Sequence, residues 1–172
     1  MKIAITAASG KLGKEIVKAT VSLLSKDDVI GLARTPEKAA HLGVEIRPGD
    51  YNDKKGLEES LKGIEVLLLV SGMDEPTKRI EQHRNVIQAA KKSGVKKIVY
   101  TSIQGADEGT LFSQVVKSNR QTEKDIIDSG LDSVIAGIYQ GIAEGRVDNV
   151  SHYYEATGRE HQCWKDYFDS LT

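Results

Sequence analysis

Short apolar runs alternate with amphipathic stretches along most of the chain. Ile3-Ala4-Ile5, Val29-Ile30-Gly31-Leu32 and Val44-Glu45-Ile46 have the length of strands, as do residues 64–70 and 97–101. The run at 64–70 is the most apolar, which predicts a central parallel strand buried on both faces. Between the runs, apolar residues recur at three-to-four spacing, the mark of a helix with one buried stripe. Leu12, Ile16, Ala19, Leu23 and Leu24 form the first such stripe, and Ile80, His83, Val86, Ile87 and Ala90 another, over 77–93. Gly94 ends the latter helix. Pro36 opens a short helix at 36–41, and Asp53 caps one at 54–61 with Leu57 and Leu61 on one face. Strands and helices in this rhythm predict an α/β fold, a doubly wound parallel sheet with helices on both faces. Val134, Ile135, Ile138 and Ile142 also recur at helical spacing, so a helix is expected at about 134–144, opening a short helical C-terminal tail. Gly137, Gly141 and Gly145 weaken that expectation by roughly 1 kcal/mol each where they are interior.

The junction of the first strand and first helix carries the chemistry. Thr6, Ala7, Ser9 and Gly10 are small, and Lys11, Leu12 and Gly13 open the helix. A turn of this kind aims free backbone N–H groups at one point, and the helix dipole adds positive charge there, so the point suits a phosphate. The spacing Ala7-x-x-Gly10-x-x-Gly13 is a variant of the glycine-rich dinucleotide fingerprint. The bland alternative is an ordinary tight turn. Arg34 follows the second strand, 21 residues past Gly13. At this place an acid pairs with the ribose 2′-hydroxyl of NAD, whereas an arginine pairs with the 2′-phosphate of NADP. The expected cofactor is therefore NADPH, with NADH disfavoured. Ligands of open α/β sheets lie beyond the carboxyl ends of the strands. That places Ser71 and Gly72 beside the cofactor, and Asp50 either there or in turn formation.

Composition narrows the picture little. The 172 residues suffice for one domain with a real core. A net charge of −1 projects no field toward nucleic acid or an acidic membrane. The single cysteine, Cys163, allows no internal disulfide, and the first residues form neither a signal series nor a membrane span. A cytoplasmic location is the expectation. His41, His83, His152 and His161 lack metal-ligand spacing, and His83 reads as a helix-face residue rather than a base.

Residues 1–133 resemble the NmrA-like branch of the atypical short-chain dehydrogenase/reductases, in particular its NAD(P)H:quinone oxidoreductase type. The resemblance is carried by Ile5-Thr-Ala-Ala-Ser-Gly-Lys-Leu-Gly13, Ala33-Arg34-Thr35-Pro36, Gly49-Asp50-Tyr51, Leu69-Val70-Ser71-Gly72, Gly94-Val-Lys-Lys-Ile-Val-Tyr-Thr-Ser102 and Asn119-Arg-Gln-Thr-Glu123. It implies a Rossmann-like fold and NADPH held by Ser9, Gly10, Lys11, Leu12, Gly13 and Arg34, with further contacts from Asp50, Ser71, Gly72, Thr101 and Ser102. The acceptor it implies is a quinone or similar small electrophile. It leaves room for a homodimer and implies no nucleic-acid or membrane partner.

The pattern breaks after residue 133. Gly137-Ile-Tyr-Gln-Gly-Ile-Ala-Glu-Gly145 lacks the arginine and turn that the family places at the end of a sixth strand. The chain thus resembles a member with an internal deletion in the substrate region, a cofactor domain at 1–133 followed by a shortened segment at 134–172. Tyr139, Tyr153, Tyr154, Trp164, Tyr167 and Phe168 read as packing residues or as a quinone platform. The Tyr-x-x-x-Lys device of alcohol dehydrogenases occurs only at Tyr51–Lys55, on the adenine side, a chance match. Where the family's tyrosine would stand there is Val115-Val-Lys-Ser-Asn-Arg120, so Lys117 is the one catalytic candidate, against a solvated helix lysine. Three readings remain: an oxidoreductase passing hydride from NADPH to a quinone or similar small electrophile, a non-catalytic NAD(P)-sensing regulator of the NmrA kind, and an internally deleted copy that folds poorly.

Overall fold

The structure is a computed structural model and describes residues 1–104, 108–109 and 113–139. Six parallel strands, β1 (Ile3–Ile5), β2 (Val29–Ala33), β3 (Glu45–Pro48), β4 (Val66–Val70), β5 (Lys97–Gln104) and β6 (Asp132–Tyr139), lie in the order β3-β2-β1-β4-β5-β6. The order reverses between β1 and β4, the switch point of a doubly wound Rossmann-like sheet. The connections include α1 (Lys11–Leu23), α2 (Lys54–Ser60), α3 (Pro76–Lys92) and α4 (Ser113–Asp128), with a 3-10 helix at Pro36–Leu42. Asp53 caps α2 by accepting the Gly56 N–H at 3.0 Å, and Gly94 follows α3 with φ +80°.

Side-chain alternation along the strands divides the apolar residues between two layers. Ala4, Ile30, Leu32, Leu67, Leu69, Ile98 and Tyr100 face Leu57, Val86, Ile87, Ala90 and Ile126 of α2, α3 and α4. Ile5, Val29, Ala33 and Val70 face Val17 and Ala39 on the α1 side. The second layer is smaller, and Val66 and Leu68 of β4 and Val99 of β5 are only half-buried. The central strand expected to be buried on both faces is therefore fully covered only toward α3.

Two expectations are corrected. The buried stripe of α1 is Gly13 and Val17, flanked by half-buried Ile16 and Val21. Leu12, Leu23 and Leu24 are 43%, 69% and 37% exposed. The close approach of Gly13 to the β1 turn sets the helix rotation, and this overrides the leucine spacing. The helix expected from residue 134 is a strand over 134–139. Val134 lies beside Val99, Ile135 beside Tyr100 and Gly137 beside Ser102 in register with β5. A run rich in β-branched residues fits both periods, and the free edge of the long β5 supplies backbone partners that favour the strand. β6 thus runs across residue 133, and the other residues of the expected helix, with the rest of the tail, lie outside the described residues. Among the described residues no helix is long and apolar enough to cross a membrane.

Candidate cofactor site

The carboxyl ends of β1 to β4 open into a cleft of about 240 Å³ lined by Ala7, Ser9, Gly10, Arg34, Asp50, Ser71, Gly72 and Gln82, among others. Whole small-molecule sites span roughly 300–1,000 Å³, so the cleft matches one end of a dinucleotide.

The β1–α1 turn is built for close approach. Ala7 is left-handed, with φ +51°, which lets its carbonyl accept the Gly10 N–H at 2.8 Å. The N-cap Gly10 contributes no side chain, and no acid occupies the first turn of α1. The leading N–H groups of a helix lack intrahelical partners, so this end, with its positive dipole, suits a phosphate. Gly13 faces the Ala7 carbonyl, where a β-carbon would lie 2.1 Å from the oxygen. Only glycine lets α1 start this close to β1.

Arg34 is exposed at the end of β2 and forms no ion pair with a described residue. Its charge, after the hydrogen bond from Gln82 and the contacts of Lys78, helps hold the Asp74 carboxyl below the usual range. A guanidinium at the cleft that ion-pairs with no described carboxylate is suited to a phosphate monoester. Asp50 serves its turn, accepting the Asn52 backbone N–H and the Asn52 side-chain amide, both at 2.9 Å, and also lines the cleft.

Behind the cleft, the end of β4 is pinned by side chains from four directions. Val70 N–H donates to Thr6 Oγ1 at 2.8 Å, Ser71 N–H to Thr101 Oγ1 at 2.9 Å and Gly72 N–H to His83 Nε2 at 2.9 Å. Tyr51 OH donates to the Val70 carbonyl at 2.7 Å. His83 Nδ1 lies 2.9 Å from Thr122 Oγ1. Because Nε2 accepts, the ring proton resides on Nδ1. Burial, then the nearby Arg79 charge, pushes the His83 pKa down to about 3. Burial likewise pushes the Tyr51 and Tyr100 hydroxyls above the ordinary tyrosine range. Tyr100 OH donates to Asn119 Oδ1 at 2.5 Å, and Ser71 Oγ donates to the same oxygen at 3.0 Å. Arg79, also buried, ties the Asp74 carbonyl to Ser118 through its two terminal nitrogens.

The residues expected from sequence therefore separate by role. Ala7, Ser9, Gly10, Arg34, Asp50, Ser71 and Gly72 meet at the cleft. Thr6 and Thr101 turn inward and hold β4. Lys11 and Leu12 are exposed at the start of α1, outside the cleft lining. Ser102 donates to Glu123 of α4. Lys117 is half-exposed and lies 3.8 Å from Glu108; it is not among the cleft residues. The cleft also holds Tyr51, Met73, Asp74 and Gln82, which the strand-end argument did not single out. His83 sits on the buried face of α3: it is fully buried and accepts the Gly72 N–H of the cleft backbone. A histidine within an otherwise apolar helix stripe was the available signal.

A family model described as NAD(P)H-binding matches residues 7–144. Quinone oxidoreductase 2 of Escherichia coli (strain K12) is 40% identical over 132 residues, covering 75% of this chain and 45% of that protein. An NmrA-like family domain-containing oxidoreductase of Aspergillus flavus is 32% identical over 148 residues, covering 81% of this chain and 48% of that one. Triphenylmethane reductase of Citrobacter sp., crystallised with NADP(H), superimposes with a TM-score of 0.75 at 32% identity, covering 83% of this chain and 52% of its own. The chain spans about half the length of the relatives it matches.

Proposed function

Because the chain belongs to the NAD(P)H-binding family, we propose that it binds NADPH and passes hydride to a quinone or a similar small electrophile. The observation that carries the cofactor half is that an uncapped α1 N-terminus and Arg34, which ion-pairs with no described residue, meet at one cleft. The α1 N–H groups would hold the pyrophosphate, and Arg34 the 2′-phosphate. Bound NADPH supplies the hydride. Thr6, Tyr51, Thr101 and His83 keep the β4 end rigid beside it, so little ordering remains to be done on binding. A quinone that accepts hydride needs one proton to leave as hydroquinone, and water can provide it. No protein acid is therefore required, which accommodates the position of Lys117 away from the cleft. The acceptor is supported by the similarity to quinone oxidoreductase 2. We place substrate binding in residues beyond β6, with the tail as a shortened partner to the cofactor domain.

One observation favours a second reading, an NAD(P)-sensing regulator. The α4 sequence Ser113–Asp128 contains no tyrosine to act as acid. Following NADPH absorbance with and without a benzoquinone separates the two. Quinone-dependent oxidation supports the reductase. Saturable NADPH binding without oxidation favours the sensor, and absence of binding contradicts both.

A further inference from the structure

Gln82 lies on α3 and is 5% exposed, yet it lines the cleft. Its side-chain nitrogen donates to Asp74 Oδ2 at 2.5 Å and to Asn52 Oδ1 at 3.3 Å. Asn52 is itself oriented, since its amide nitrogen donates to Asp50 Oδ1 at 2.9 Å. An ionised carboxylate only accepts, so the reverse setting of the Gln82 amide would place oxygen against oxygen. The chain Asp50–Asn52–Gln82–Asp74 therefore fixes which end of the amide is which. The Gln82 carbonyl oxygen Oε1 is left over. No described residue donates to it, and it lies 3.5 Å from where a β-carbon on Gly72 would stand. It is the free acceptor of a side chain whose amide end is fixed, and it borders the cleft.

The position of this oxygen identifies its ligand. Ser9 and Gly10 belong to the α1 side of the sheet, where the phosphates are proposed to sit. Gln82 belongs to the α3 side, across the ends of β1 and β4. A nucleotide anchored by its phosphates extends its base to the far side. Adenine carries a donor there, the exocyclic N6 amino group. We infer that Gln82 determines base specificity: its carbonyl oxygen accepts the N6 amino group of the cofactor's adenine, and its fixed amide rejects a base with a carbonyl in that place. The inference rests on the proposed cofactor site.

The test uses NADPH and reduced nicotinamide hypoxanthine dinucleotide phosphate, which carries a carbonyl oxygen and a ring N–H where adenine has the amino group and a bare ring nitrogen. Dissociation constants are read from nicotinamide fluorescence, with no acceptor present. The wild type should bind NADPH at least tenfold more tightly, a difference of about 1.4 kcal/mol. Gln82→Met keeps an unbranched side chain of similar length without the amide. It should lose affinity for NADPH by about tenfold, change little toward the hypoxanthine analogue and so lose the preference. Equal binding of the two dinucleotides by the wild type overturns the inference and leaves the cofactor site standing, and this arm needs no variant to fold. Full preference retained by folded Gln82→Met also overturns it. Failure of the wild type to bind NADPH overturns the cofactor site and the inference together.

Discussion

Replacing Gly13 by alanine should damage the fold, whereas the same change at Gly10 should not. A β-carbon at residue 13 would stand 2.1 Å from the Ala7 carbonyl oxygen, 2.6 Å from its carbon and 3.1 Å from the Thr6 oxygen. The first distance is about 1.3 Å short of the 3.4 Å at which ordinary contact begins. All three neighbours are backbone, so no side chain can swing aside and α1 must move off β1. Overpacking of this kind costs about 1–3 kcal/mol and occasionally more. The gain in helix propensity from glycine to alanine returns roughly 1 kcal/mol. With all three contacts to backbone the cost falls at the upper end of that range, and the net loss of about 2 kcal/mol lowers Tm by roughly 4–8 °C for a chain of this size. At residue 10 the added carbon would meet the Ala7 oxygen at 3.2 Å, on a backbone with φ −81° and ψ 166° that any residue adopts. That change should cost less than about 1 kcal/mol. Thermal and urea unfolding of the two variants beside the wild type give the comparison. A Gly13→Ala protein as stable as the wild type would refute the close approach of α1, and so would equal damage at both positions.

His83 should make stability depend on pH. The unfolded imidazole titrates near 6.5 and the folded one near 3. The unfolded chain therefore holds the extra proton between these values, and stability is full above pH 6.5 and lost as the pH falls toward 3. At pH 5 the loss is about 2 kcal/mol, and urea titrations should show it absent from His83→Gln, which keeps an acceptor for the Gly72 N–H. Tyr51→Phe leaves the Val70 carbonyl without its side-chain donor. It should lower stability by about 1–3 kcal/mol by urea unfolding, and an unchanged midpoint would remove Tyr51 from the group that holds β4.

The elements that could be read from the chain were those in which local pattern and tertiary packing agree. Asp53 caps α2, Gly94 ends α3, and the apolar runs become strands whose order follows from alternation with helices. The start of α1 was legible because a phosphate turn is a local device. The rotation of α1 was not, since one backbone contact at Gly13 outweighs three leucines. The strand at 134–139 was ambiguous because Val134, Ile135 and Ile138 suit either period, and only the waiting edge of β5 decides. In the site, Arg34 and the strand-end residues were readable from topology. Gln82 and His83 were not, because both lie on α3 and reach the cleft only through its packing against β4. Thr6 and Thr101 lie at the right strand ends but turn inward, a choice of side-chain direction that residue position alone does not determine.

The central claim is that the β1–α1 turn and Arg34 together hold NADPH. Titration of NADPH and NADH into the wild type and into Arg34→Ala, read by nicotinamide fluorescence, tests it directly. The account predicts saturable binding with NADPH favoured. It also predicts that Arg34→Ala weakens NADPH by at least about tenfold, as expected for the loss of a charge-assisted hydrogen bond, while NADH changes little. No saturable binding by the wild type, or equal losses for the two cofactors, would contradict it.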